Sequence, residues 1–307
     1  MHVAITGATG LIGTELSNAL RDRGHTVTGI TRATPGPGQL QWSPSEQRID
    51  AGALRGVDAV VHLAGEKIGF ADWSPRSIAA ARWSPATKRR IVTSRVDGTG
   101  LIARTMAELD GGPRTLVSVS AVHFYGDRGD EVLTEDSTAG DELFLSRVCV
   151  AWESAAEPAR QAGIRVVHPR IGLVQTPRDG ALQRSLPVFR LGLGGRFGSG
   201  RQWWSWVMLD DVIGVLLHAL TDDAVSGPLN VTAPEPVTNA AYTRILGRVL
   251  GRPAVLPIPA FGPRLVFGEM ADELLYTSAR VLPEQALASG YSFRHPDLEA
   301  GLRSVLR

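Results

Sequence analysis

Apolar residues in the first half of the chain fall into short, β-branched runs: "HVAIT", "HTVTGITR", "DAVVHLAG", "TLVSVSA" and "IRVVHPRIGLV". Runs of this kind, bounded by glycine and polar residues, predict strands buried on both faces. Between them the apolar positions follow a helical period. Leu11, Leu16 and Leu20 share one face, a longer helix runs through Arg104, and "LFLSRVCVAWE", Leu143 to Glu153, repeats its apolar residues like one side of a helix. Strand, helix, strand in repetition predicts an α/β fold, a parallel sheet with helices on both faces.

After Gly172 the alternation weakens. A helix near Val212 to Leu220, a strand in "GPLNVTA", a helix from Asn239 to Leu250 capped by Thr238, a strand in "AVLPIPA" and a final helical stretch are expected there. The chain thus divides into a core of residues 1–172, with later segments returning to the sheet, and a smaller lobe of residues 173–307 across a cleft. The Pro/Gly/Ser segments "TPGPGQLQWSPSE" and "GLGGRFGSGRQ" read as loops rather than linkers.

Composition narrows the partners. With 307 residues the chain can bury a sizeable core without staples, and its single cysteine, Cys149, cannot form an internal disulfide. Thirty-two Lys and Arg against 31 Asp and Glu leave a net charge of +1, too little to gather nucleic acid or an anionic membrane. No Cys or His pairs have zinc-ligand spacing, so no metal is expected. No window approaches the roughly 20 apolar residues of a membrane span, and "MHVAITGATG" lacks a cationic flank. These features lead to the expectation of a soluble, cytoplasmic monomer or homodimer with a small-molecule substrate.

The opening segment carries the strongest chemical signal. Gly7, Gly10 and Gly13 of "TGATGLIG" stand between a strand and a helix, with Thr9, Leu11 and Ile12 in the same turn. One glycine permits the turn, one lets the main chain approach a pyrophosphate, one allows close helix packing, and free amides of the first helical turn face the anion. No Lys-Ser or Lys-Thr follows the last glycine, which argues against a nucleoside-triphosphate loop. Roughly 20 residues on, where an NAD site places an acid, Thr31 is followed by Arg32. A guanidinium there suits a 2′-phosphate: a charge-assisted hydrogen bond of about 1.5–3 kcal/mol favours NADP by one to two decades. Leu63, Ala64 and Gly65 end the next core strand with residues small enough for a dinucleotide to lie close.

With these residues the chain resembles the extended short-chain dehydrogenase/reductase superfamily, and within it the atypical epimerase-family branch related to nucleoside-diphosphate-sugar epimerases. The likeness runs end to end. It includes "HLAGE", "SR" at 94–95, "VCVAWE", "RIGLV", "LGLGGRFGSGRQWWSWVMLDDV", "PAFGPRLVFGEMADELL" and "VLPEQALASGYSFRHPDLEAGL". It implies a Rossmann-type doubly wound parallel sheet binding NADP(H), with a smaller C-terminal α/β lobe over the nicotinamide. Cofactor contacts would fall on Arg32, Leu63, Ala64, Arg95 and around Val174; related active enzymes carry asparagine at the Arg95 position.

Those enzymes join a serine to a Tyr-x-x-x-Lys pair, the tyrosine acting as acid/base and the lysine lowering its pKa. Ser120 matches the serine. Counting back from Glu153 puts the lysine position on Cys149 and the tyrosine position on Leu145, and no tyrosine or lysine occurs from Asp127 to Gly163. Cys149 is therefore expected to be an inert filler. Tyr125 is the expected substitute proton donor, with His123 structural. Trp203, Trp204 and Trp206 suit a sugar ring and equally a core seam; Trp204 and Arg201 are the candidate substrate contacts. Asp210 and Asp211 are expected to cap the next helix, and "KRR" at 88–90, on a helix begun by Ser84 and Pro85, to be a solvated face. No G-x-S-x-G elbow marks a serine hydrolase. Two functions remain open: an NADP-dependent oxidoreductase or epimerase using Ser120 and Tyr125 on a small polar substrate, or a non-catalytic NADPH-binding redox sensor or scaffold.

Overall fold

The structure, a computed structural model, describes residues 1–69 and 72–306. Strand β1 (His2–Thr6) leads through the glycine turn into α1 (Leu11–Arg21), β2 (Thr26–Thr31) and β3 (Gln39–Ser43). There follow β4 (Ala59–His62), α2 (Pro85–Glu108), β5 (Thr115–Ser118), α3 (Phe144–Ser154) and β6 (Arg165–Ile171). Beyond these lie β7 (Leu173–Gln175), β8 (Trp206–Met208), α4 (Leu209–Thr221), β9 (Gly227–Val231), α5 (Asn239–Leu250) and α6 (Leu298–Leu306).

The main sheet runs β9-β6-β5-β4-β1-β2-β3, all parallel, with Arg48–Ile49 antiparallel to β3 at one edge. The chain winds outward from β1 in one direction and then crosses to β4 in the other. Between the carboxyl ends of β1 and β4 lies the crevice where open α/β sheets take their ligands.

Successive strand residues point to opposite sides, and both sides are buried. Val3, Ile5, Val61, Val117 and Val167 pack with Leu16, Leu20, Val212 and Leu216 of α1 and α4. Ala4, Val60, Leu116 and Val166 pack with Leu101, Ile102 and Met106 of α2. The continuous apolar strands of the sequence thus become a three-layer sandwich. A separate core of Leu182, Phe189, Trp206, Tyr242, Leu246 and Leu302 holds the second lobe.

Helix α5 starts where expected, the Thr238 hydroxyl accepting from the Ala241 amide at 3.3 Å. The Ser84 hydroxyl likewise accepts from Thr87, with Pro85 opening α2. Strand β9 returns to the sheet beside β6. Two expectations are corrected. The segment "AVLPIPA" is not a strand: only Ile258 bridges, to Phe197, because Pro257 and Pro259 have no N–H to give a ladder. Asp211 does not cap α4, whose N-cap is Met208 with no side-chain bond. Its buried carboxylate instead accepts from the Arg294 and His295 amides at 2.7 and 3.0 Å and from the Tyr291 hydroxyl at 3.1 Å, tying down the C-terminal segment. Among the described residues no helix is long and apolar enough to cross a membrane.

Gly13→Ala tests the turn at the head of the fold, since its Cβ would lie 2.1 Å from the Gly7 carbonyl oxygen. Overpacking of this kind costs about 1–3 kcal/mol. The expected result is a lower denaturant midpoint with unchanged slope; an unchanged midpoint would show that α1 can shift away from the turn.

Candidate cofactor and active site

Gly7 adopts φ +66°, the left-handed region open to glycine, and a Cβ there would stand 3.1 Å from the Ala64 nitrogen. The turns after β1 and β4 therefore touch through main chain. Thr6 fixes this approach. Its buried hydroxyl accepts from the Leu63 and Ala64 amides at 3.0 and 3.1 Å, which leaves its proton for His62 Nδ1 at 2.7 Å. His62 is consequently the Nε2–H tautomer. Burial, reinforced by the charge of Arg95, pulls its pKa down to about 3, so the ring is neutral.

The predicted cofactor residues gather along one edge. Gly10 is the N-cap of α1, its amide donating to the Gly7 carbonyl at 2.9 Å, and no side chain makes a capping hydrogen bond there. Thr9 and Gly10 are exposed. Leu11, Ile12, Leu63 and Val174 pack, half-buried, against the same core cluster. Thr31 ends β2, its hydroxyl taking the Ala33 amide at 3.1 Å, and the next residue, Arg32, is exposed.

Arg95 sits deeper, 9 % exposed on α2. Its guanidinium lies over Gly65, where a Cβ would come within 3.2 Å of Cζ, and stacks 5.0 Å from the Trp152 ring. It donates to the carbonyls of Ile91 (3.2 Å) and Glu66 (3.1 Å). Among the described residues no carboxylate is within ion-pair distance of it; the Glu66 side chain pairs with Arg90 at 3.6 Å. Burial lowers its pKa from the ordinary arginine value, but a guanidinium stays charged.

Around this cation the polar groups are neutral. Cys149 is 3 % exposed, and burial, with the Glu153 charge adding, pushes its thiol up to about 12. Leu145, one turn earlier on α3, is also buried. His123 is held at about 4 by burial and by Arg95. Ser120, in a short strand that pairs with the end of β6, has a buried hydroxyl that faces the Cys149 thiol and makes no other hydrogen bond among the described residues. The structure thus brings Ser120, His123, Cys149 and Arg95 to one end of the sheet.

Tyr125, expected from sequence to stand beside Ser120 as a proton donor, has its hydroxyl engaged elsewhere. It is fully buried, its hydroxyl donating to Asn230 Oδ1 at 2.7 Å and accepting from Arg170 at 2.9 Å. Burial pushes the phenol up to about 12, with Arg170 opposing. Arg170 in turn forms a two-pronged pair with Glu153, both bonds 2.9 Å, and its Cζ lies 3.5 Å from the centroid of the Phe124 ring. Glu153 of "AWE" is therefore an anchor of this knot. Sequence gave no sign of its partner, since the two charges lie on different elements.

The substrate candidates lie in the second lobe. Arg201 is exposed in the glycine-rich loop. Trp204 is half-buried, edge-on to Tyr242 at 5.2 Å, with Phe197 at 6.1 Å. Trp206 is core, its indole N–H bonded to the Glu235 carbonyl at 2.9 Å, and Trp203 reaches Asp130 at 2.8 Å. The "KRR" face is also more engaged than expected: Lys88 pairs with Glu269 at 2.6 Å.

A glycine turn at the switch point of a doubly wound parallel sheet defines a dinucleotide-binding α/β protein. Residues 3–232 match the NAD dependent epimerase/dehydratase family and residues 258–305 a domain of unknown function. The chain belongs to the NAD-dependent epimerase/dehydratase family. It is 42% identical to an epimerase family protein of Mycobacterium bovis over 294 residues, covering 95% of this chain and 93% of that one. The human epimerase family protein SDR39U1 is 37% identical over the full length of both chains. A crystal structure of human SDR39U1 (isoform 2) with NADPH superposes with a TM-score of 0.89 at 36% identity, covering 99% of each chain.

Two outcomes follow from the neutral groups. Cys149 in the folded protein should resist iodoacetamide at pH 8, because a thiol near pKa 12 has almost no thiolate; rapid alkylation of native protein would contradict its burial. Tyr125→Phe strands Asn230 and Arg170, so it should cost about 1–3 kcal/mol in chemical denaturation while leaving cofactor affinity unchanged.

Proposed function

We propose that this chain binds NADP(H) along the β1–β4 edge and presents its nicotinamide end to Ser120 beneath the second lobe. The observation that carries the reading is the buried guanidinium of Arg95 with no carboxylate in ion-pair reach, the Glu66 charge acting on it from farther off. A charge held in a protein interior by carbonyls and a distant acid alone is costly, and an anionic ligand lying between the Gly7–Gly13 turn and Gly65 would relieve it. The diphosphate of a dinucleotide has the right charge: first-turn amides of α1 approach from one side, Arg95 from the other. Arg32, at the end of β2, is free to meet a 2′-phosphate, which favours NADP over NAD. The Ser120 hydroxyl, whose one neighbour is the weakly polar Cys149 thiol, also fits a ligand that supplies a stronger hydrogen-bonding group. Relatives at this level of identity, one of them solved with NADPH, support the same cofactor.

When bound, NADPH supplies a hydride; the protein's part is to hold the acceptor and manage the proton. With Leu145 and Cys149 at the expected tyrosine and lysine positions, Ser120 is the remaining hydroxyl suited to holding a substrate oxygen. This supports an oxidoreductase-like role toward a small polar substrate, with Arg201 and Trp204 on the lobe side. A second reading, an NADPH-holding sensor or scaffold without turnover, is favoured by two observations: the phenol of Tyr125 is bonded to Asn230 and Arg170, and burial pushes the Cys149 thiol up to about 12. Sustained NADPH oxidation with a panel of carbonyl compounds and sugar nucleotides supports the first; tight binding without turnover supports the second.

Calorimetric titration of Arg32→Ala should show NADPH binding weakened by roughly one to two decades, from the loss of a charge-assisted bond of about 1.5–3 kcal/mol, with NADH little changed. Equal losses for both nucleotides would remove Arg32 from the 2′-phosphate.

A further inference from the structure

The C-terminal segment that matches a domain of unknown function reaches back to the site through two acids one helical turn apart. Glu273, 3 % exposed, accepts from the Phe144 and Leu145 amides at 2.7 and 2.8 Å. These are first-turn amides of α3, which has no side-chain cap of its own. Glu269 takes Lys88 from the first turn of α2 at 2.6 Å, and the Lys88 ammonium lies 4.8 Å over the Phe144 ring, which packs edge-on to Trp83. The segment thus grips the starts of both helices that carry the site: α2 with Arg95, and α3 with Leu145 and Cys149. Glu273 lies in a π-helical turn, Asp272–Tyr276, a local widening often found at functional positions. The turn is held from the other side by Gln202, donating to the Leu275 carbonyl at 2.9 Å, and by Ser278, whose hydroxyl takes the Trp203 amide at 3.0 Å. From α3 the connection continues inward: the Ser146 hydroxyl donates to the His123 carbonyl at 2.8 Å, three residues beyond Ser120.

We infer that Glu273 is a positioning residue, the tip of a clamp by which the C-terminal segment sets the register of α3 and so the geometry around Ser120 and Arg95. This rests on the NADPH reading above for its functional consequence, and on the two amide bonds for its structure. A carboxylate accepting two adjacent main-chain donors fixes both the height and the rotation of the first turn. Glutamine can accept from one amide but must turn N–H groups toward the other, so Glu273→Gln keeps part of the grip and Glu273→Ala none.

The experiment compares wild type, Glu273→Ala, Glu273→Gln and Leu302→Ala by calorimetry with NADPH, thermal melting and amide hydrogen exchange. Leu302 is buried in the second-lobe core and touches none of these groups, so its variant controls for simple loss of stability. The clamp predicts faster exchange of the Phe144 and Leu145 amides in Glu273→Ala and NADPH binding weakened roughly two- to thirtyfold, the range of coupling through a packed network. Glu273→Gln should fall between alanine and wild type, and Leu302→Ala should lose Tm without losing affinity. Unchanged affinity in Glu273→Ala, a glutamine variant no better than alanine, or an equal loss in Leu302→Ala at matched Tm would overturn it. Should the alanine variant fail to fold, glutamine against wild type carries the same comparison. If wild type itself binds no NADPH, the cofactor reading fails, and amide exchange in Glu273→Gln still decides the clamp.

Discussion

The site depends on how closely two main-chain turns approach each other. Gly7 stands within van der Waals distance of Leu63 and Ala64 because it has no side chain, and the Thr6 hydroxyl holds the two turns together with all its hydrogen-bonding capacity in use. That contact closes the floor of the crevice between β1 and β4. On the proposed reading, a wider gap would separate the α1 amides from Arg95, the two groups assigned to the diphosphate.

Electrostatics at this edge follow from burial. His62, His123 and Cys149 are each driven to their neutral forms, two by depressed and one by raised pKa. The signs agree with one cause, the expense of charge in a dry interior. Only arginine resists, since its intrinsic pKa is too high for burial to discharge it. Arg95 therefore keeps its positive charge among neutral groups, with the Glu66 charge acting from farther off. The opposite solution is used on β6, where Arg170, in register with Ser120, and Glu153 neutralise each other beside Tyr125.

What sequence made legible was what local pattern controls. Apolar runs and helical periods marked the sheet and most helices, Thr238 and Ser84 announced their caps, and the glycine turn fell between β1 and α1 as expected. Long-range pairing was not legible. Asp211 looks like a cap from its neighbours, yet its partners lie more than eighty residues on. Tyr125 looks available beside Ser120, but its hydroxyl is claimed by Asn230 and Arg170 from β9 and β6. Prolines in "AVLPIPA" carried a warning about strand formation that hydrophobicity masked. Glu273 had no local signature, because the amides it serves belong to a helix that begins far earlier in the chain.

These misses share a physical origin, and it bears on how the two lobes cooperate. Each acid or phenol whose partners local pattern did not show is satisfied across the boundary between sheet and C-terminal segment: Asp211 with Arg294 and His295, Tyr125 through Asn230 to the Leu282 carbonyl, Glu273 with Phe144 and Leu145. Buried polar groups left without such partners would each cost about 1–3 kcal/mol, a large share of a domain's net stability of about 5–15 kcal/mol. The segment therefore cannot be a passive appendage. It completes the hydrogen bonding of the sheet layer, and in doing so fixes α3, the helix on which Leu145 and Cys149 sit. Any chemistry at Ser120 is built on a surface whose shape the last fifty or so residues help to define.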